Sequence, residues 1–327
     1  MHFKHVIAAI TAIFTLTVAP LARAADYPKQ PVRLVVGFSP GSTIDLVSRI
    51  IAEGLSRKLN ANFVVENKTG ANGILAATAV AQAKPDGYTL LVSNSSSITV
   101  NPILYKKLGY QPLEDLAPIS TVLSVPFVLA INPQNPRTKN INSVKDLVNK
   151  AKAEPDKVTY GSAGNGNLMH LAGAQLATMS STQMVHIPYR GAAPMETALL
   201  SQEIDFGFDT LSGVHLMKSG KLKPLAVSTK ERWRDLPDVP AVAETGFPDF
   251  DISFWVGTFA PAGTPPEIIE LLNREIAAVV QDPEIKNRLM PQGNILTQSS
   301  EEFISKIKTE LGTNSELIMR ANIKVEE

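Results

Sequence analysis

No cysteine occurs anywhere in the 327 residues. Disulfides, thiol nucleophiles, cysteine-held metals and lipid attachment through an N-terminal cysteine are therefore excluded. Surplus charge is missing as well, with 31 basic residues against 31 acidic ones. Without a basic excess there is no bulk hold on nucleic acid or anionic lipid, so any anion must be caught locally. Beyond the first few residues only His170, His186 and His215 remain, with neither HxxxH nor HExxH spacing, so no metal site is expected. The apolar run at 6–18 is too short for a membrane span. It follows His2, Lys4 and His5 and leads to Pro20 and Ala22-Arg23-Ala24. That is the pattern of a secretory leader over 1–24, cleaved after Ala24. Removing Lys4 and Arg23 with it leaves 29 basic against 31 acidic residues, a disulfide-free chain expected outside the cytoplasm.

What is present is an ordinary globular composition, 44% hydrophobic and 19% charged, long enough for two lobes. The central stretch is the apolar run Val32-Arg33-Leu34-Val35-Val36, which stops at Gly37-Phe38-Ser39-Pro40-Gly41. An amphipathic pattern (Leu46, Val47, Ile50, Ile51, Leu55) begins at once. This predicts a buried strand, a tight loop and a helix whose first N–H groups open onto that loop. Strands are predicted at 62–66 and 88–92 around a helix at 74–83, which implies parallel pairing with right-handed crossovers. Apolar runs at 119–125 and 127–131 flank Pro126, where the strand must bend or change partners. The pattern then starts over: a helix capped by Ser143, a strand at 157–160, a glycine-rich loop at 161–167 and a helix at 168–179. Strands come next at 184–187, 204–208, 222–227 and 254–259, with helices at 191–200, 265–280, 283–289 and 300–321. Each half holds an apolar strand, a Gly/Ser/Asn loop and a helix. Open α/β sheets bind ligands at the carboxyl ends of their strands, where both loops fall.

Gly37-Phe38-Ser39-Pro40-Gly41 spells G-x-S-x-G, so a secreted hydrolase with Ser39 as nucleophile has to be considered. In that fold the residue after the nucleophile donates its backbone N–H to the oxyanion, and Pro40 has none. Losing one such donor costs about 10²–10³ in rate. As an anion cradle the loop is better equipped: Gly41 lets backbone approach a ligand, Ser42 and Thr43 add hydroxyls, and the next N–H groups are free. The bland alternative is that Ser42 or Thr43 merely caps the helix. The loop from Gly161 to Asn167 is neither a dinucleotide fingerprint nor a P-loop; it offers donors, or it is a flexible connection. The run Ser93-Asn94-Ser95-Ser96-Ser97 is read either as ligand contact or as a solvated loop with a cap. Arg190, after Tyr189 at a helix start, suits a bidentate carboxylate contact or a surface ion pair. Asp205 and Asp209 lie four apart, facing one side of a strand, and Asp209 is placed to bond a ligand or cap the next turn.

Several motifs together resemble one family: FSPGSTID at 38–45, PDGYTLL at 85–91, GSAGNGNLMHLAG at 161–173, HIPYRG at 186–191, LPDVPAVAE at 236–244 and APAGTP at 260–265. The chain is similar, over nearly its whole mature length, to the Bug-type solute receptors of tripartite tricarboxylate transporters. The resemblance implies a type II-like periplasmic binding protein of α/β class with two lobes, each a mixed sheet flanked by helices, and a ligand cleft between them. The expected lobes are 25–123 with 252–327, and 124–251. It implies a non-enzymatic monomer that closes on a small carboxylate, needs no cofactor, and delivers its ligand to a membrane permease or acts as a sensor. The loops carrying Phe38, Ser39, Gly41, Ser42, Thr43, Ile44 and Asp45, and Ser162, Ala163, Asn165, Gly166, Asn167 and His170, are expected to grip the carboxylate. Ser93, Asn94, Ser95, Tyr189, Arg190 and Asp209 are expected to border the cleft. Family loops usually read P-P-G-G-[ST]-[TA]-D; here Ser39, Ser42 and Ile44 depart from that pattern, and Leu168-Met169 stand where hydroxyl residues are usual. The added apolar bulk predicts a ligand with a hydrophobic body, an aromatic or medium-chain mono- or dicarboxylate in place of citrate.

Overall fold

The computed structural model of the chain describes residues 27–321 and 323, so the leader at 1–24 lies outside the described residues. Strand β1 (Val32–Val36) runs parallel to both β2 (Phe63–Asn67) and β3 (Thr89–Asn94). Its apolar run is nearly unbroken because both faces are covered. Leu34, Val36, Leu90 and Val92 pack in the cluster that holds Ile51 and Leu55 of α1 (Thr43–Leu59). Val35 and Leu91 point the other way, into a cluster with Ala76, Ala77 and Val80 of α2 (Ile74–Ala81).

Past β3 the chain makes a π-helical turn at Ser96–Val100 and a short helix α3 (Asn101–Leu104), then enters β4 (Leu116–Pro126) and β5 (Val128–Ile131). Next come α4 (Val144–Ala153), β6 (Thr159–Ser162), α5 (Leu168–Ser180), β7 (Val185–Pro188), α6 (Ala192–Leu200), β8 (Phe206–Asp209), α7 (Val214–Lys218) and β9 (Lys223–Val227). The remainder is β10 (Ser253–Pro261), α8 (Pro266–Gln281), α9 (Pro283–Leu289), β11 (Asn294–Ile295) and α10 (Ser300–Arg320). The strands form two mixed sheets, in the orders β11-β4-β10-β3-β1-β2 and β7-β6-β8-β5-β9.

Pro126 marks a change of partners, one of the two outcomes expected there. β4 ends on it in the first sheet, and β5 starts two residues later in the second. The return passage runs from the end of β9 to the start of β10. Ser228 ties the two passages together, its Oγ accepting from Phe127 N at 2.8 Å and donating to Ile252 O at 2.5 Å.

Some boundaries shift, for physical reasons. The strand predicted at 157–160 is β6, two residues later, so Gly161 and Ser162 belong to the sheet and not to the loop. A Cβ on Gly161 would come within 2.4 Å of Ile204 and 2.7 Å of Met195, so this strand position needs glycine to let α6 close down. β3 likewise runs on through Ser93 and Asn94. The expectation that Asp205 and Asp209 share one strand face fails at Asp205, which precedes β8. It accepts from Thr159 N at 2.9 Å, pairs with Arg137 at 2.8 Å and closes the start of that strand.

Candidate functional site

The carboxyl ends of β1, β3, β6 and β8 carry the candidate residues. The loop after β1 is shaped by Asp45, whose buried carboxylate accepts from Gly41 N and Asn67 Nδ2, each at 2.9 Å, and from Arg49 Nε at 3.1 Å. Burial alone would raise its pKa, but the bonds from Arg49, Gly41 and Asn67 outweigh that and hold it below the usual carboxylate value. Expected as a ligand contact, Asp45 instead has its oxygens engaged in organising the loop.

Ser42 caps α1, its Oγ accepting from Asp45 N at 3.3 Å. Among the described residues the N–H groups of Thr43 and Ile44 have no partner. The Thr43 hydroxyl is buried without one either. Ser39 and Gly41 are exposed at the loop tip, while Phe38 is half-buried beside Gly73. Neither a histidine nor a carboxylate is hydrogen-bonded to Ser39 among the described residues.

The serine run is not a solvated loop: Ser93, Asn94, Ser95, Ser96 and Ser97 are all buried. Several of its groups are engaged. Asn94 Oδ1 accepts from Ser97 N, and Ser97 Oγ donates to Asn72 O at 2.9 Å. The hydroxyls of Ser93 and Ser95 are buried with no partner. An unpaired buried hydroxyl costs about 1–3 kcal/mol, so the Thr43, Ser93 and Ser95 hydroxyls each call for an explanation.

Sequence reading missed Asn72, which looked like an ordinary turn residue ahead of Gly73. Its side chain donates to Asn101 Oδ1 at 2.8 Å and accepts from Asn167 Nδ2 at 3.1 Å, joining loops of the two sheets. Two more bonds cross the same gap: Leu168 N donates to Ser96 Oγ at 3.1 Å, and Tyr105 Oη to Asn165 O at 3.5 Å.

On the second sheet, the loop after β6 satisfies most of its own donors. Gly164 N donates to Ser162 Oγ, Gly166 N to His170 Nδ1, and Asn167 N to Gly164 O, each at 3.2 Å. Met169 N donates to Asn167 Oδ1 at 2.9 Å, capping α5. Of the N–H groups from Ala163 to Met169, only those of Ala163 and Asn165 have no partner among the described residues.

Beneath the loop the His170 and His186 rings stack at 3.6 Å and 6°, with Tyr160 against both. Ser162 Oγ lies 2.7 Å from His186 Nε2. Burial pushes the His170 pKa down to about 4; burial and its neighbour push His186 to about 3. Both imidazoles are therefore neutral at neutral pH.

Other expected residues sit differently. Ile44, Leu168 and Met169 are buried in the main hydrophobic cluster, so their bulk packs helices onto sheets. The Tyr189 hydroxyl donates to Glu203 Oε1 at 3.1 Å, turning back toward the entry of β8 and away from the carboxyl ends. Arg190 is exposed. Asp209 is fully buried, accepting from Thr210 N at 2.7 Å. Burial, with Glu196 next to it, raises its pKa well above the usual carboxylate value. A Cβ on Gly213 would fall 1.9 Å from Asp209 Oδ2, so that turn holds glycine to admit the carboxyl group.

Among the described residues no three His, Asp or Glu side chains are placed to hold a metal ion. A separate cavity of about 220 Å³ lies between α5 and α10, lined by Gln175, Asp251, Asn314 and Arg320 among others, and includes none of the loops above.

Comparison with known proteins agrees with this geometry. The family model described as "Tripartite tricarboxylate transporter family receptor" matches residues 47–323. The chain is 34% identical to protein BugT of Bordetella pertussis over 289 residues, 87% of each chain. It superposes on an R. palustris protein solved with adipate at a TM-score of 0.85 and 31% identity, covering 91% of this chain and 99% of that one. For the periplasmic binding protein BugD the TM-score is 0.83 at 33% identity, over 92% and 100%.

Proposed function

This chain belongs to the tripartite tricarboxylate transporter receptor family, and on that premise we propose that it captures a small carboxylate in the periplasm and presents it to a membrane permease. The observation that carries this reading is the pair of open N–H groups of Thr43 and Ile44 at the start of α1, with the buried, unpartnered Thr43 hydroxyl on the same turn. Donors without acceptors at the positive end of a helix are complementary to an anion. We keep the two lobes expected from the sequence, 25–123 with 252–327 and 124–251, but put their division on the first passage at Phe127, because Ser124–Pro126 still pair with β10; the hinge runs through Phe127, Ser228 and Ile252, where Ser228 binds both passages.

Helix-end attraction contributes only about 0.3–1 kcal/mol, up to ~2 when partly buried. A micromolar complex needs about −8 kcal/mol. Hinge closure must supply the rest, through hydrogen bonds and burial of the ligand body. The protein acts as a monomeric receptor without cofactor and without turnover: among the described residues no base is hydrogen-bonded to Ser39, and Pro40 has no N–H to give. The test is thermal unfolding with a panel of small carboxylates, each paired with its amide. Stabilisation by carboxylates alone, with no turnover, supports the reading. Equal stabilisation by amides, or ester hydrolysis that Ser39→Ala abolishes, contradicts it.

A further inference from the structure

Resting on the hinged lobes of that reading, we infer that the cavity between α5 and α10 is the clearance behind the hinge. It is the space into which the two helices close when the cleft opens, so its filling sets how far the free protein opens. Helix α10 belongs to one lobe and reaches the other. Its first half is fixed on the first sheet, with Phe303 edge-on to Trp255 at 4.8 Å and Glu310 Oε2 accepting from Trp255 Nε1 at 2.8 Å. Asn314 Nδ2 then donates to Thr99 Oγ1 at 2.9 Å, in the π-helical turn that begins at Ser96. From there on α10 faces α5 of the second lobe, and the cavity of about 220 Å³ lies between them.

Helix α5 therefore meets the first lobe at two places. Its first residue, Leu168, donates to Ser96 Oγ across the cleft at 3.1 Å, where the Asn72–Asn167 bond also crosses. About two turns along α5, Gln175 borders the cavity, and so does Ile252, the residue that Ser228 ties to the hinge. The first meeting is direct; the second is a gap. Rigid lobes turning about a pivot between the two narrow one as they widen the other. Protein interiors leave few voids larger than a water molecule, and this one adjoins a hinge passage. Gln175 Oε1 is buried without a partner, while Arg320 on the opposite wall spends one N–H on Glu316 at 3.4 Å. Narrowing the gap brings that donor-rich guanidinium toward the unpaired oxygen, which favours opening when no ligand holds the cleft shut.

The chain holds no cysteine, so Lys107→Cys on the first lobe and Ala193→Cys on the second, both at exposed positions, take a single pair of spin labels. Double electron–electron resonance on the full mature chain, dialysed free of ligand, then reads the distance between the lobes. A shorter, closed population and a longer, open one are expected. Gln175→Trp and Thr313→Trp fill the cavity from α5 and from α10. Each should lower the ratio of open to closed at least threefold, while Thr309→Trp, on α10 outside the cavity, leaves it unchanged. Thr313 is exposed, so its variant keeps the test alive if Gln175→Trp does not fold. An open population that the filled variants leave unchanged, or that Thr309→Trp lowers equally, overturns the inference and leaves the hinge standing. One distance, the same in the parent and in every variant, overturns the hinge as well. Neither result bears on whether the ligand is a carboxylate, which the panel of acids and amides decides separately.

Discussion

Asn167 Nδ2 donates to Asn72 Oδ1 at 3.1 Å, and this bond spans two loops that belong to different sheets. Both side chains are anchored on their own side, Asn72 through Asn101 and Asn167 through Met169 N, so the contact joins two fixed points. A double-mutant cycle of Asn72→Ala and Asn167→Ala should give a coupling of about 0.5–1.5 kcal/mol, the net worth of one hydrogen bond. It is read from ligand affinity. No coupling would mean that the contact plays no part in closure.

Gly73 has φ +85°, and a Cβ there would come within 2.3 Å of Ser97 Oγ. Gly73→Ala is expected to destabilise the chain by about 1–3 kcal/mol, from strain and from displacement of Ser97 off Asn72. Denaturant unfolding checks this, and ligand affinity should fall with it.

Asp45→Asn removes a buried charge that accepts from Gly41 N, Asn67 and Arg49. The expected loss is about 1.5–3 kcal/mol of stability. The Asp45 pKa is lowered in the fold, so its stabilising contribution is present above the unfolded carboxylate value of about 3.9 and is lost as pH falls through the folded value. Urea midpoints of wild type and variant should therefore converge toward acid pH.

The stacked histidines give a different pH signature. Unfolded imidazole titrates near about 6.5, while His170 and His186 titrate at about 4 and about 3 in the fold. A depressed base means that the unfolded chain binds protons first. Stability is full above about pH 6.5 and declines as pH falls from there toward the folded values, by up to about 1.4 kcal/mol per unit for each ring. His186→Gln should flatten this slope, and an unchanged slope would count against burial as its origin.

Much of the fold was readable from the chain. The strand–loop–helix unit of β1 and α1 comes from a continuous β-branched run, a serine cap and helical spacing, all local signals. Pro126 announced a break in the strand, a bend or a change of partners, because proline cannot donate within a sheet. The serine run was harder, because composition says polar; Ser93 and Asn94 prolong a central strand and Ser96 and Ser97 open the turn that follows, so all are buried despite their polarity. Asn72 was invisible for another reason. Its meaning lies in Asn167, 95 residues away, and no periodicity reports a partner at that distance. Ser228 is alike, a single serine after a strand that binds two backbone passages. Ile44, Leu168 and Met169 misled in the opposite direction: apolar residues beside a binding loop suggested an apolar ligand wall, but helix packing had the first claim on them.

The most direct measurement is mass spectrometry of the small molecule released on denaturing freshly purified protein. A carboxylate receptor should yield one carboxylic acid per chain, freed intact, with no mass added to Ser39. Release of a cationic or carboxyl-free compound, or a covalent adduct on Ser39, would contradict that role.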